Sequence, residues 1–105
     1  MEECKTTEQM IQERGLNAPR LTPKMIDETI VKEEYHKLTD VLTVCVLTLR
    51  NGFTVTGESA CASPENFNAE VGNKISRENA REKIWTLEGY LLKEKLYNKE
   101  INNEN

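Results

Sequence analysis

The sequence predicts an α+β fold: an antiparallel β-hairpin at about 41–50 and 53–60, a helix at about 23–38, and a long helix from about 64 to 97. Three observations predict it. The apolar period changes from 3.6 to 2 near residue 41, an Asn-Gly pair stands midway through the alternating stretch, and Thr-Pro and Ser-Pro pairs open the two helical stretches.

Thr22 before Pro23 reads as an N-cap with proline at the first helical position, where the missing N–H costs nothing. Met25, Ile26, Ile30 and Leu38 follow at helical spacing, and Lys24, Asp27, Glu28, Lys32, Glu33 and Lys37 supply a solvent side. Asn51-Gly52 accepts the positive φ angles of a two-residue turn. Such a turn sets Thr48 opposite Val55 and Val46 opposite Gly57, so Leu42, Val44, Val46, Phe53 and Val55 form the expected core face. The other face, with Cys45, Leu47 and Leu49 among threonines, is the expected interface. Two strands are rarely stable alone. A homodimer that extends the sheet across a two-fold axis is the expected remedy.

Ser63-Pro64-Glu65 opens the second helix. Phe67, Val71 and Ile75 form one apolar stripe; Ala80, Ile84, Leu87 and Leu91 form another on a different side. Gly89 is the expected place for a kink. Residues 1–20 read as an N-terminal appendage with one short helix through Met10 and Ile11 ending at Gly15, residues 21–97 as a single domain, and 98–105 as a frayed tail.

Composition narrows the function. The 105 residues carry 14 Lys+Arg against 18 Asp+Glu, a formal charge of -4, which disfavours generic nucleic-acid binding. The N-terminus has no apolar signal region, and Val41–Leu49 is far shorter than the ~20 residues that span a bilayer, so a soluble intracellular protein without membrane association is expected. Three cysteines without a CxxC pair do not read as a disulfide framework, and with His36 they match no zinc module, so no metal is expected. Ser59 and Cys61 have no predictable base, no phosphate-cradling glycine loop occurs, and no cofactor is expected. The chain reads as a non-enzyme.

One constellation remains. Lys74, Arg77, Arg81 and Trp85 recur at intervals of three and four, which places them on one side of the second helix. Two guanidinium forks can hold an anion and an indole can stack a planar ring. Arg50 and Phe53 at the hairpin tip are candidates to join them. The alternative is an ion-pair ladder, since Glu78 and Glu82 alternate with these cations.

PRLTP, followed by VCVLTLRNGFTVTGESACASPENFNAEVGNKISRENAREKIWTLEGYLL, resembles a family of small phage and prophage proteins typified by phage N4 gene 49 and phage Sf6 gene 66. The resemblance spans Ala18 to Leu96 and implies a phage or prophage gene product acting in the host bacterial cytoplasm; it brings no activity with it. In architecture, a hairpin with paired arginines on a flanking helix is similar to phage proteins that sequester nucleotide immune signals as oligomers, an analogy at the level of fold. The expectation is a phage accessory protein that binds a small anionic, nucleotide-like host signal in a counter-defence role. The rival expectation is a protein-interaction module that docks on a host enzyme or phage component through its apolar strand and helix faces.

Overall fold

The computed structural model describes residues 19–103. The short helix expected to end at Gly15 lies outside them. The described elements are α1 (Pro23–Glu28), β1 (Ile30–Lys37), β2 (Leu42–Leu49), β3 (Thr54–Ala60), a 3-10 turn (Pro64–Asn66) and α2 (Ala69–Asn103). The strands form one antiparallel sheet in the order β1-β2-β3, and α2 packs across β3 and β2 on one face.

The first helix starts as expected: Thr22 accepts a hydrogen bond at its Oγ1 from Met25 N–H at 3.2 Å. It stops after six residues, where Thr29 turns its hydroxyl back onto Ile26 O at 2.7 Å. From Ile30 the chain is a strand, which corrects the expected helix to residue 38. Met25, Ile26, Ile30 and Leu38 satisfy a helical stripe, but the edge of β2 offers antiparallel partners to seven residues of a segment that begins with β-branched Ile30 and Val31. Long-range pairing outweighs a weak local preference. Val31 is the extra residue of a bulge, because Ile30 pairs with Leu49 while Lys32 pairs with Thr48.

The hairpin is present, but its register differs by one residue from the expectation. Leu49 N–H donates to Phe53 O at 2.8 Å and Gly52 N–H to Leu49 O at 2.8 Å, which makes a three-residue connection through Arg50, Asn51 and Gly52. Gly52 holds φ at 90°, the left-handed residue that closes such a loop. Leu47 therefore faces Val55 and Cys45 faces Gly57. A one-residue slip moves every side chain of a strand to the other face. Thr43, Cys45, Leu47 and Leu49 are buried under α2, whereas Leu42, Val44 and Val46, expected in the core, are half-buried on the sheet's outer face.

Gly57 fixes the helix. A Cβ there would run into Ala80 N and Ser76 O and lie 2.8 Å from the carbonyl carbon of Asn79, so the backbones of β3 and α2 meet directly. Ser76, Ala80 and Ile84, all fully buried, follow at intervals of four and line the contact. The core consists of these residues with Ile26, Cys45, Leu47, Leu49 and Val55, and Leu21, Ile30 and Trp85 pack on its margin.

The long helix begins at Ala69, with Asn68 Oδ1 accepting from Val71 N–H at 3.1 Å; the expected Ser63-Pro64 start makes only the separate 3-10 turn. It runs without a break through Gly89 to Asn103, past the expected end at Tyr97. Its 35 residues span roughly 52 Å, against about 26 Å for an eight-residue strand. Its C-terminal part therefore extends beyond the sheet.

Candidate functional site

Because α2 lies over β3 and β2 and touches α1, one of its flanks faces β1 and α1. Arg77 and Arg81 project from that flank and meet two carboxylates. Arg77 donates through Nε to Glu33 Oε1 at 3.0 Å and through Nη2 to Glu33 Oε2 at 3.3 Å. Arg81 donates through Nε to Asp27 Oδ1 at 2.7 Å, and through Nη2 to Asp27 Oδ2 at 3.3 Å and Pro23 O at 3.1 Å. Both pairs are two-pronged, the geometry in which a guanidinium fork matches a carboxylate. Arg77 Nη2 also lies 3.9 Å from Asp27 Oδ1, so the two pairs form one array.

The array continues at both ends. Tyr35 donates its hydroxyl to Glu33 Oε1 at 2.8 Å. At the other end the Arg81 guanidinium lies 6.0 Å from the centre of the half-buried Trp85 ring. The order across the surface is Tyr35, Glu33, Arg77, Asp27, Arg81, Trp85. The side chains of Arg77 and Arg81 are 31% and 23% exposed, those of Glu33 and Asp27 38% and 50%. The site is a rim open to solvent.

The hydrogen bond from Arg81 holds the Asp27 carboxyl below its ordinary range, and that from Arg77, helped by Tyr35, does the same to Glu33. Burial first, then the bond to Glu33, pushes Tyr35 up to about 12. Glu33 in turn raises Arg77. At neutral pH the rim therefore presents two cations, two anions, a phenol and an indole. Guanidinium groups bind phosphate, a carboxylate takes hydrogen bonds from ribose hydroxyls, and an indole stacks on a planar ring.

The other expected residues lie apart. Lys74 is exposed on the same flank, one turn before Arg77, with no ion pair among the described residues. Arg50 anchors the hairpin loop by donating its N–H to Thr29 O at 2.9 Å, and lines a separate cleft of about 300 Å³ with Glu28, Glu88 and Lys95. Phe53, 54% exposed, lines a groove on the opposite flank of α2. The structure does not bring Arg50 or Phe53 to the arginine pair. Cys45, Leu47 and Leu49, expected as an interface, are 0%, 0% and 6% exposed. The register places them under α2, where they form the core.

Sequence reasoning missed Asp27 and Glu33, which it assigned to the wet side of a helix, and Tyr35, which it read as a packing or surface residue near the end of that helix. A signal was available: Glu33 and Tyr35 are two apart, so in a strand they share a face. Among the described residues no three His, Cys, Asp or Glu side chains converge to hold a metal, and no helix is long and apolar enough to cross a membrane.

Comparison with known proteins returns one family. The model of the Phage protein (N4 Gp49/phage Sf6 gene 66) family matches residues 21–96, which takes in every element from α1 through most of α2. No curated protein and no solved structure matches the chain.

Proposed function

The chain belongs to this family of phage proteins, and from that premise we propose that it is a small, non-enzymatic phage accessory protein that binds and withholds a small anionic, nucleotide-like host molecule, blunting a host defence or signalling step. The observation that carries the reading is the pair Arg77 and Arg81, set side by side by α2 at the solvent-facing rim beside Trp85, each fork resting on a carboxylate. Lys74 adds a further cation on the same flank.

The carboxylates do not close this site to an anion. A phosphate offers the two forks the same paired acceptor oxygens that the carboxylates do, and the displaced Asp27 and Glu33 become acceptors for ribose hydroxyls. The one hydroxyl beside a carboxylate on the rim is Tyr35, and the Glu33 it donates to is held below its ordinary range by Arg77 and is a poor base, which favours holding a ligand over converting it.

The test is a thermal-shift and calorimetric titration against a panel of cyclic nucleotides and cyclic ADP-ribose derivatives. Wild type is expected to gain several degrees with at least one member, and Arg77→Ala/Arg81→Ala to gain nothing. Absence of a response across the panel sinks the reading. A second reading, a protein-interaction module, is favoured by one observation: Phe53, Leu87 and Tyr90 are exposed around the opposite flank of α2. It loses Cys45, Leu47 and Leu49, which are core. A stoichiometric host protein captured by wild type and lost on Leu87→Glu would support it.

A further inference from the structure

The geometry points to the open edge of β3 as a docking site for an extended, acidic peptide segment of a partner protein, which would add a fourth strand to the sheet. Hydrogen-bonded and non-bonded pairs alternate along an antiparallel ladder. Leu49 N–H donates to Phe53 O and, at the far end, Cys61 N–H donates to Val41 O at 3.1 Å. In the register of β2 and β3 this makes the odd-numbered pairs, Leu47 with Val55 and Cys45 with Gly57, the bonded ones. The backbone groups of Thr54, Thr56 and Glu58 consequently point away from the sheet. Asn79 supplies independent support, since its Nδ2 reaches from α2 to donate to Glu58 O at 2.8 Å. Among the described residues nothing pairs with the outward groups of Thr54 and Thr56, the arrangement that accepts an added strand.

The two edges of the sheet differ. β1 carries Lys32, Glu33, Glu34 and Lys37 and is bent by the bulge at Val31, features that discourage pairing. From Thr54 to Gly57, β3 has neither charge nor bulge. Beside it runs a groove of about 420 Å³ whose walls are Phe53 and Val55 below and Lys83, Thr86 and Leu87 above. Phe53 and Leu87, 54% and 39% exposed, would seat an apolar side chain of the incoming strand. Lys83 is the one charged residue of the lining and has no ion pair among the described residues. It selects an acidic residue. It also argues against a second copy of β3, because two-fold pairing centred on Val55 would bring two Lys83 side chains together.

The experiment uses the full chain, immobilised and challenged with a random seven-residue peptide library. Enriched peptides are expected to alternate apolar and polar residues and to carry Asp or Glu. A synthetic peptide of the consensus is expected to bind at least tenfold more weakly to Lys83→Glu and to Thr54→Pro, the latter removing an outward N–H at the first position of a strand, where proline is tolerated. It is also expected to slow amide exchange at Thr54 and Thr56. If Thr54→Pro does not fold, that exchange measurement in wild type decides in its place. No enrichment, a loss below tenfold on either folded variant, or a wild-type dimer that Thr54→Pro dissociates would overturn the inference, the last assigning the edge to a second copy.

Discussion

Gly57→Ala is the most demanding perturbation of this fold. The added methyl would collide with Ala80 N and Ser76 O, and approach the Asn79 carbonyl carbon to 2.8 Å. These are backbone atoms within a continuous helix of 35 residues, so no side chain can rotate out of the way. To restore an ordinary carbon contact the helix must lift by roughly 1 Å, a gap that forfeits a quarter to a half of each dispersion contact across the seam. That seam is the core, where fully buried Ser76, Ala80 and Ile84 lie against the inner face of the sheet. Overpacking costs about 1–3 kcal/mol, and the rigidity of the colliding atoms puts this substitution at about 3. The opposing benefit of Gly→Ala, fewer unfolded conformations, is about 0.4–1 kcal/mol and does not change the sign.

For a chain of this size 1 kcal/mol moves Tm by about 4–8 °C, so a net loss of about 2–3 kcal/mol lowers Tm by roughly 8–24 °C. Differential scanning calorimetry measures it directly. The same lift would pull Arg77 and Arg81 away from Glu33 and Asp27. Gly72→Ala is the control, because its methyl would meet the Thr43 hydroxyl at 3.0 Å, a side-chain atom that can move. A Gly57→Ala protein that melts within about 4 °C of wild type would refute the direct backbone contact.

Gly89→Ala should do the reverse: its methyl meets only Leu21 Cδ1 at 4.0 Å, and alanine in a helix interior should raise stability by about 0.5–1 kcal/mol in chemical denaturation. Acid should uncouple the rim. Arg81 and Arg77 depress Asp27 and Glu33 below their ordinary values of 3.8 and 4.5, so the stabilisation is complete above those values and is lost as pH falls through the depressed ones. Thermal melts from pH 7 to pH 2 should therefore fall more steeply for wild type than for Asp27→Asn/Glu33→Gln; parallel curves would dismiss the effect. Cys45 is fully buried and burial pushes its thiol up, whereas Cys61 is half-buried, so mass spectrometry after brief alkylation of the native protein should find Cys61 modified and Cys45 intact.

What the sequence revealed and what it hid have physical reasons. The Asn-Gly pair announced a hairpin, yet it fits both a two-residue and a three-residue connection, and a single residue decides which face of β2 is buried. Side-chain character could not arbitrate: Leu42, Val44 and Val46 on one face match Cys45, Leu47 and Leu49 on the other in apolar bulk, and a threonine lies on each face. The segment from Ile30 to Lys37 was harder, because its charges satisfy either a helix exterior or an edge strand, and only the unpaired edge of β2 selects the strand. Here the same error concealed the site. Read as helix, Asp27 and Glu33 lie on a solvated surface; read as a cap-proximal residue and a strand residue, they become the acceptors for Arg81 and Arg77. The arginine pair was legible from spacing alone, since four residues of any helix place two side chains together. Its partners were not, because they come from elements 44 and 54 residues away in the chain. An anion-binding reading based only on the cations thus left out the carboxylates that set their geometry, and those carboxylates turn a patch of positive charge into a mixed surface, on which the proposed ligand would need hydroxyl groups as well as a phosphate.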